Sequence, residues 1–176
     1  MQVMQRVKET EFLGKEFLLW LWFRSEKNAG IFDLADGRKA EIWFDGKMTL
    51  SSESAQGVDT VTCSGTSPWM KEARFALTEG KMIAQAAVKL FVGDNQWSFV
   101  LDSEWLNFRS FKTPVIIQDK AEDPDGLFYE KVFLTEQAVE AMDSIFEGFM
   151  ALRISSDWEE EESPRIKKWI KEGREQ

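Results

Sequence analysis

The stretch Phe17-Leu18-Leu19-Trp20-Leu21-Trp22-Phe23 is apolar on nearly every side, so neither a helix nor a strand built from it can turn a whole face to water. The fold must bury this segment from more than one direction. Seven residues are far short of the roughly 20 that span a bilayer, so the cover has to come from the rest of the chain. Thr10 and Glu11 suit a helix start, and Asn28, Ala29 and Gly30 suit a stop, which places a helix over residues 12–27. A buried strand fits the apolar run as well.

Beyond Gly30 the period changes. Residues 31–35, 40–44, 48–52 and 58–64 are short β runs separated by Asp36-Gly37, Asp45-Gly46 and Gln56-Gly57, pairs that accept the positive φ of tight turns. An antiparallel meander is expected. Ser67-Pro68 opens a helix that runs to about Thr78 and ends at Gly80, because serine caps free amides and proline belongs in the first turn. Residues 82–92 and 96–102 read as a hairpin around Gly93-Asp94-Asn95, with a further strand near residues 105–111.

Pro114 and the acidic turn Glu122-Asp123-Pro124-Asp125-Gly126 mark residues 113–126 as a loop. Phe128, Val132, Val139, Met142, Ile145, Phe146, Phe149 and Leu152 then recur at helical spacing opposite acids, giving a long amphipathic helix; Thr135 offers an alternative second start. Ser163-Pro164 opens a last helix with Ile166, Trp169 and Ile170 on one side and bases on the other. Helices and strands do not alternate one by one, so the expected class is α+β: an antiparallel β meander with hairpins, packed with helices, the last of them C-terminal. All 176 residues are expected in a single domain, with residues 1–11 a tail and residues 163–176 a basic C-terminal helix.

Charge is unevenly spread. The chain carries −9 overall, yet residues 119–162 hold 14 acids and 3 bases, while residues 163–176 hold five bases and two acids. Such a total disfavours a surface that coats nucleic acid throughout, although a local basic patch remains compatible with it. The densest positive cluster is Arg165, Lys167, Lys168, Lys171 and Arg174, joined by Lys71 and Arg74 on the second helix as candidate DNA-backbone contacts. Glu159, Glu160, Glu161 and Glu162 are the candidate contacts for a basic protein partner. A solvated terminus and an exposed approach to the last helix explain the same two runs.

For catalysis the inventory is poor, and the chain is read as non-enzymatic, with no catalytic residue, metal site or cofactor expected. Histidine is absent, and no phosphate loop, dinucleotide fingerprint or nucleophile elbow occurs. Asp119, Glu122, Asp123 and Asp125 lack the spacing of a calcium loop and read as a solvated turn. The single cysteine, Cys63, can form no internal disulfide and reads as a buried strand residue. Trp20, Trp22, Trp43, Trp97 and Trp105 read as core. Trp69 and Trp169 sit beside Lys71 and beside Lys167 with Lys168, an interleaving used for stacking on single strands, though helix packing explains them too. The polar first ten residues carry no secretory signal, and a cytoplasmic protein with no membrane partner is expected.

The segment Phe12-Leu13-Gly14-Lys15-Glu16-Phe17-Leu18-Leu19-Trp20-Leu21-Trp22-Phe23-Arg24-Ser25-Glu26 resembles the LGxEFLxWLWF stretch in the C-terminal part of longer bacterial RdgC-like recombination-associated proteins. Further likeness falls at Ile42-Trp43-Phe44, Glu72-Ala73-Arg74, residues 77–81, Trp97-Ser98-Phe99 and residues 146–155, so it spans roughly residues 12–170. The resemblance implies a protein that binds duplex DNA without sequence preference and modulates recombination, with duplex DNA or a recombination protein as partner and a homodimer as its assembly. Family members include ring-forming dimers, some acidic overall, that line a channel with bases. The matched aromatic residues are not DNA contacts, so no binding residue carries over by position. The alternative reading is an acidic protein-interaction module, binding a partner or competing with DNA for one, with no DNA binding of its own.

Overall fold

The computed structural model describes residues 2–65, 69–116 and 124–173, with side chains described from residue 12 onward and, in the second helix, from residue 71. Ser67, Pro68, Asp119, Glu122, Asp123 and Arg174 lie outside the described residues, as does the side chain of Trp69.

The architecture is α+β. Helices α1 (Gln2–Lys27), α2 (Trp69–Thr78), α3 (Pro124–Arg153) and α4 (Ser163–Glu172) accompany strands β1 (Ile31–Asp33), β2 (Lys39–Ser54), β3 (Gly57–Ser64), β4 (Met82–Val92), β5 (Asn95–Asp102) and β6 (Phe108–Lys112). All six strands form one antiparallel sheet in the order β1-β2-β4-β5-β6, with β3 sharing the β1 edge of β2. Among the described residues no helix is long and apolar enough to cross a membrane.

Alternation decides which face the helices cover. Ile42, Phe44, Met48 and Leu50 of β2, Ile83, Val88 and Leu90 of β4, and Trp97, Phe99 and Leu101 of β5 are buried on one side. The intervening residues point to solvent, the pattern of an antiparallel sheet with a single core face. Helix α1 lies on that face, and its apolar run is covered from three directions as its composition demands. Leu18 and Leu21 are fully buried, Phe17 and Trp20 pack against Phe149 of α3, and Trp22 and Phe23 pack against Trp169 of α4.

Several expectations need correction. The first helix begins at Gln2, where a tail was expected through residue 11. Asp45-Gly46 is not a turn between two strands; β2 runs straight through it. The register steps from Phe44↔Val88 to Met48↔Ala86, so three residues of β2 face one of β4, and Gly46 takes its positive φ of 79° in a bulge. Trp43 and Trp105, expected in the core, are 57% and 64% exposed. Trp43 falls on the outer face by parity with Ile42, and Trp105 sits in the turn before β6. Thr135 opens no second helix: its hydroxyl donates to the Lys131 carbonyl at 2.7 Å, a back-bond inside a continuous α3.

Gly14, at the start of the apolar stretch of α1, has a packing reason. A Cβ there would stand 1.8 Å from the Ser103 carbonyl oxygen, so only glycine lets α1 lie this close to the turn between β5 and β6. That turn is tied by Asp102, which is buried, meets Arg109 at 2.9 Å, and accepts the backbone N–H groups of Glu104 and Trp105. Cys63 is buried in β3 as expected, and burial, helped by the nearby Glu72 charge, pushes its thiol pKa up. A raised pKa depletes the thiolate and so disfavours a nucleophilic role.

Candidate functional site

The C-terminal helix is built into the domain. Ile166 and Trp169 are buried, and Trp169 meets Trp22 edge-on with ring centroids 5.0 Å apart. Its indole N–H donates to Glu26 Oε2 at 3.0 Å, and the same oxygen is paired with Arg74 from α2. The Arg74 guanidinium lies over the Trp169 ring, 4.8 Å from its centroid, and burial holds its pKa below the usual arginine value against the opposing pull of Glu172. Arg74 therefore joins α1, α2 and α4, half-buried and with its charge already committed to Glu26.

Immediately before α4 the chain makes a π-helical turn, Trp158–Glu162, closed by the Ser163 amide donating to the Trp158 carbonyl. This wider turn directs the fourth glutamate inward. Glu159, Glu160 and Glu161 are exposed, whereas Glu162 is 3% exposed and accepts from Trp20 Nε1 at 3.0 Å and from Arg24 Nε at 2.6 Å. The expectation of four exposed acids thus holds for three; the last serves the join between α1 and α4. The side of α4 that carries Trp169 is in turn the wall of a cleft.

That cleft, about 260 Å³, lies between the C-terminal end of α1 and one flank of α4. Arg24, Lys27, Arg165 and Lys168 line it together with the acids Glu162 and Glu172, over a floor that includes Phe23 and Trp169. Arg24 and Lys27 are one turn apart on α1, as are Arg165 and Lys168 on α4, so each helix aims a pair of bases at the same space. Lys27 and Lys168 both lie 3.9 Å from Glu172, and Arg165 lies 3.4 Å from Glu161. These are solvated pairs of the kind worth little, so an anion entering the cleft can take over Lys27, Arg165 and Lys168 at small cost, while Arg24 stays with Glu162 and adds its charge to the wall. The carbonyl end of α1 faces the same region and opposes a negative ligand; attraction must come from the side chains.

The remaining candidates are dispersed. Lys167 and Lys171 are exposed on the opposite flank of α4, and Lys167 borders a second cleft of about 370 Å³ with Glu16, Arg153 and Glu159. Arg153 there is bound to Glu16 at 2.7 Å and lies over the Trp158 ring. Lys71 is exposed on α2. Of the seven bases singled out from the sequence, Arg165 and Lys168 meet in one cleft; their companions Arg24 and Lys27 were missed. The signal for those two was present as bases one turn apart at the end of an aromatic helix, but nothing local says that α4 lies opposite them.

Among the described residues no group of three or more cysteine, aspartate or glutamate side chains is placed to hold a metal ion. Compared with protein-family models and with curated proteins, the chain matches none of them.

Proposed function

We propose that this is a non-enzymatic, RdgC-like protein that binds duplex DNA through its phosphate backbone and so limits the access of recombination proteins to it. The observation that carries this reading is the convergence of Arg24, Lys27, Arg165 and Lys168 on one cleft. The likeness of residues 12–26 to RdgC-like proteins supports it, since that segment builds α1 and supplies Arg24. Backbone contacts read no bases, which accounts for binding without sequence preference. The acid excess between residues 119 and 162 opposes the duplex, which favours engagement at this edge. Two copies joined as a homodimer would present two such edges to one duplex.

The test is the anisotropy of a labelled duplex of about 20 base pairs, titrated with the chain at several salt concentrations. With Arg24 held by Glu162, the three solvated bases Lys27, Arg165 and Lys168 meeting two or three phosphates predict an affinity that falls about 12- to 40-fold between ~50 and ~200 mM salt, and the same affinity for a duplex of unrelated sequence. The double variant Arg165→Glu/Lys168→Glu is expected to lower the slope of log K against log salt by about two. Absence of binding at ~50 mM salt, or an unchanged slope in the variant, rejects the reading.

A further inference from the structure

Helix α3 is 30 residues long, about 45 Å, yet its buried residues begin only at Leu134. The polar and aromatic anchors to the domain lie further along: the Ala35 amide donates to Ser144 Oγ at 2.8 Å, and Phe146 and Phe149 pack on Phe17. Residues 124–133, about 15 Å of helix, carry large apolar side chains on the outside. Phe128, Tyr129 and Phe133 are 61%, 70% and 57% exposed, and Val132 is exposed beside them. Together they present on the order of 400 Å² of side-chain surface, at the upper end of what a monomer shows without a use for it.

Their placement on the helix is ordered. Tyr129, Phe133, Glu136, Glu140, Asp143 and Glu147 follow one another in alternating steps of four and three residues, so they form one exposed stripe, aromatic at its start and acidic thereafter. Phe128 packs edge-on against Tyr129, 5.7 Å between centroids, and broadens the aromatic end. A single helix laid along this stripe would need apolar side chains at one end and lysine or arginine at the same spacing beyond. A second copy of this chain does not meet that need: its own stripe would set four acids against acids or against the aromatic residues. Nucleic acid fails for the same reason.

We propose that this stripe of α3 docks a basic amphipathic helix of a partner protein, the aromatic residues Tyr129 and Phe133 anchoring it and the four acids fixing its register. The proposal stands apart from the DNA reading, since it uses a different element and the opposite charge.

A fluorescein-labelled 18-residue peptide of leucine, alanine and lysine, with leucines at the alternating steps over its first two turns and lysines at those steps beyond, serves as the probe for an anisotropy titration against the full chain. The peptide is expected to bind, a scrambled peptide of the same composition to bind about tenfold more weakly, and a leucine–glutamate peptide not to bind. Tyr129→Ala/Phe133→Ala and, separately, Glu136→Lys/Glu140→Lys are each expected to weaken binding at least about tenfold. Both pairs are solvent-facing, so melting by circular dichroism should stay at the wild-type temperature. Equal binding of the ordered and scrambled peptides, or unchanged binding by either double variant, overturns the proposal. So does sedimentation showing that the free chain dimerises and that Tyr129→Ala/Phe133→Ala abolishes the dimer, because the occupant would then be a second copy.

Discussion

Trp169→Ala is expected to cost about 3–5 kcal/mol of stability, the range for removing a fully buried large aromatic side chain. Three losses combine at this position. The cavity opens against Trp22 and Phe23, whose rings now meet the indole at 5.0 and 5.6 Å. Glu26 loses one of the two donors on its Oε2, and the Arg74 guanidinium loses the ring beneath it. Because α4 is held mainly through this residue and Ile166, the helix should fray from the domain before global unfolding. Urea denaturation followed by far-ultraviolet circular dichroism measures the loss. Trp169→Phe, which keeps most of the volume and removes the donor, is expected to cost only about 1–2 kcal/mol. A loss below about 1 kcal/mol in the alanine variant would mean that α4 does not dock as described.

Glu162→Ala is the second large effect. Its carboxylate is the common acceptor for the buried Trp20 indole and for Arg24, so deletion leaves an unsatisfied N–H and a guanidinium without its counter-charge. Breaking a buried pair from one side costs about 3–5 kcal/mol. Arg24 retains partial access to water, which reduces the expectation to about 2–4 kcal/mol, or roughly 5–15 °C in Tm for a chain of this size. Glu162→Gln preserves an acceptor for the indole and should recover about half. Equal losses in the two variants would mean that the Arg24 charge, and not the hydrogen bonding, sets the cost.

How far the sequence announced this molecule depends on whether each signal is local. The helical and strand periods are local, and they correctly indicated an α+β chain with an antiparallel sheet and a multiply covered α1. Glycine beside aspartate was ambiguous, because positive φ serves a bulge as well as a turn: Asp36-Gly37 turns the chain and Asp45-Gly46 bulges it. Tryptophan misled for a similar reason. Trp97 and Trp43 sit in equally apolar stretches, and only the parity of their strands sends one ring to the core and the other to water. Glu162 differs from Glu161 by one residue in a π-helical turn, a geometry with no sequence period to announce it.

The candidate site was half legible. A run of bases at the C-terminus is visible in one dimension, but its division into Arg165 and Lys168 on the cleft and Lys167 and Lys171 behind it, like the half-buried place of Arg74 between helices, follows from how α4 packs on α1 and α2. The acidic segment beyond residue 124 was visible as composition. Its aromatic tip was read as part of a buried stripe because the helical period continues unbroken from Phe128 to Phe149, although burial begins only at Leu134.

The most direct measurement is an amide ¹H–¹⁵N spectrum of the labelled chain recorded while a short duplex is added at low salt. Shifts concentrated at Lys27, Asn28, Arg165, Lys168 and Glu172, and reversed by added salt, are the predicted result. Shifts confined to the outer sheet face around Trp43 and Trp105, or no shift at any ratio of duplex to protein, would contradict the account.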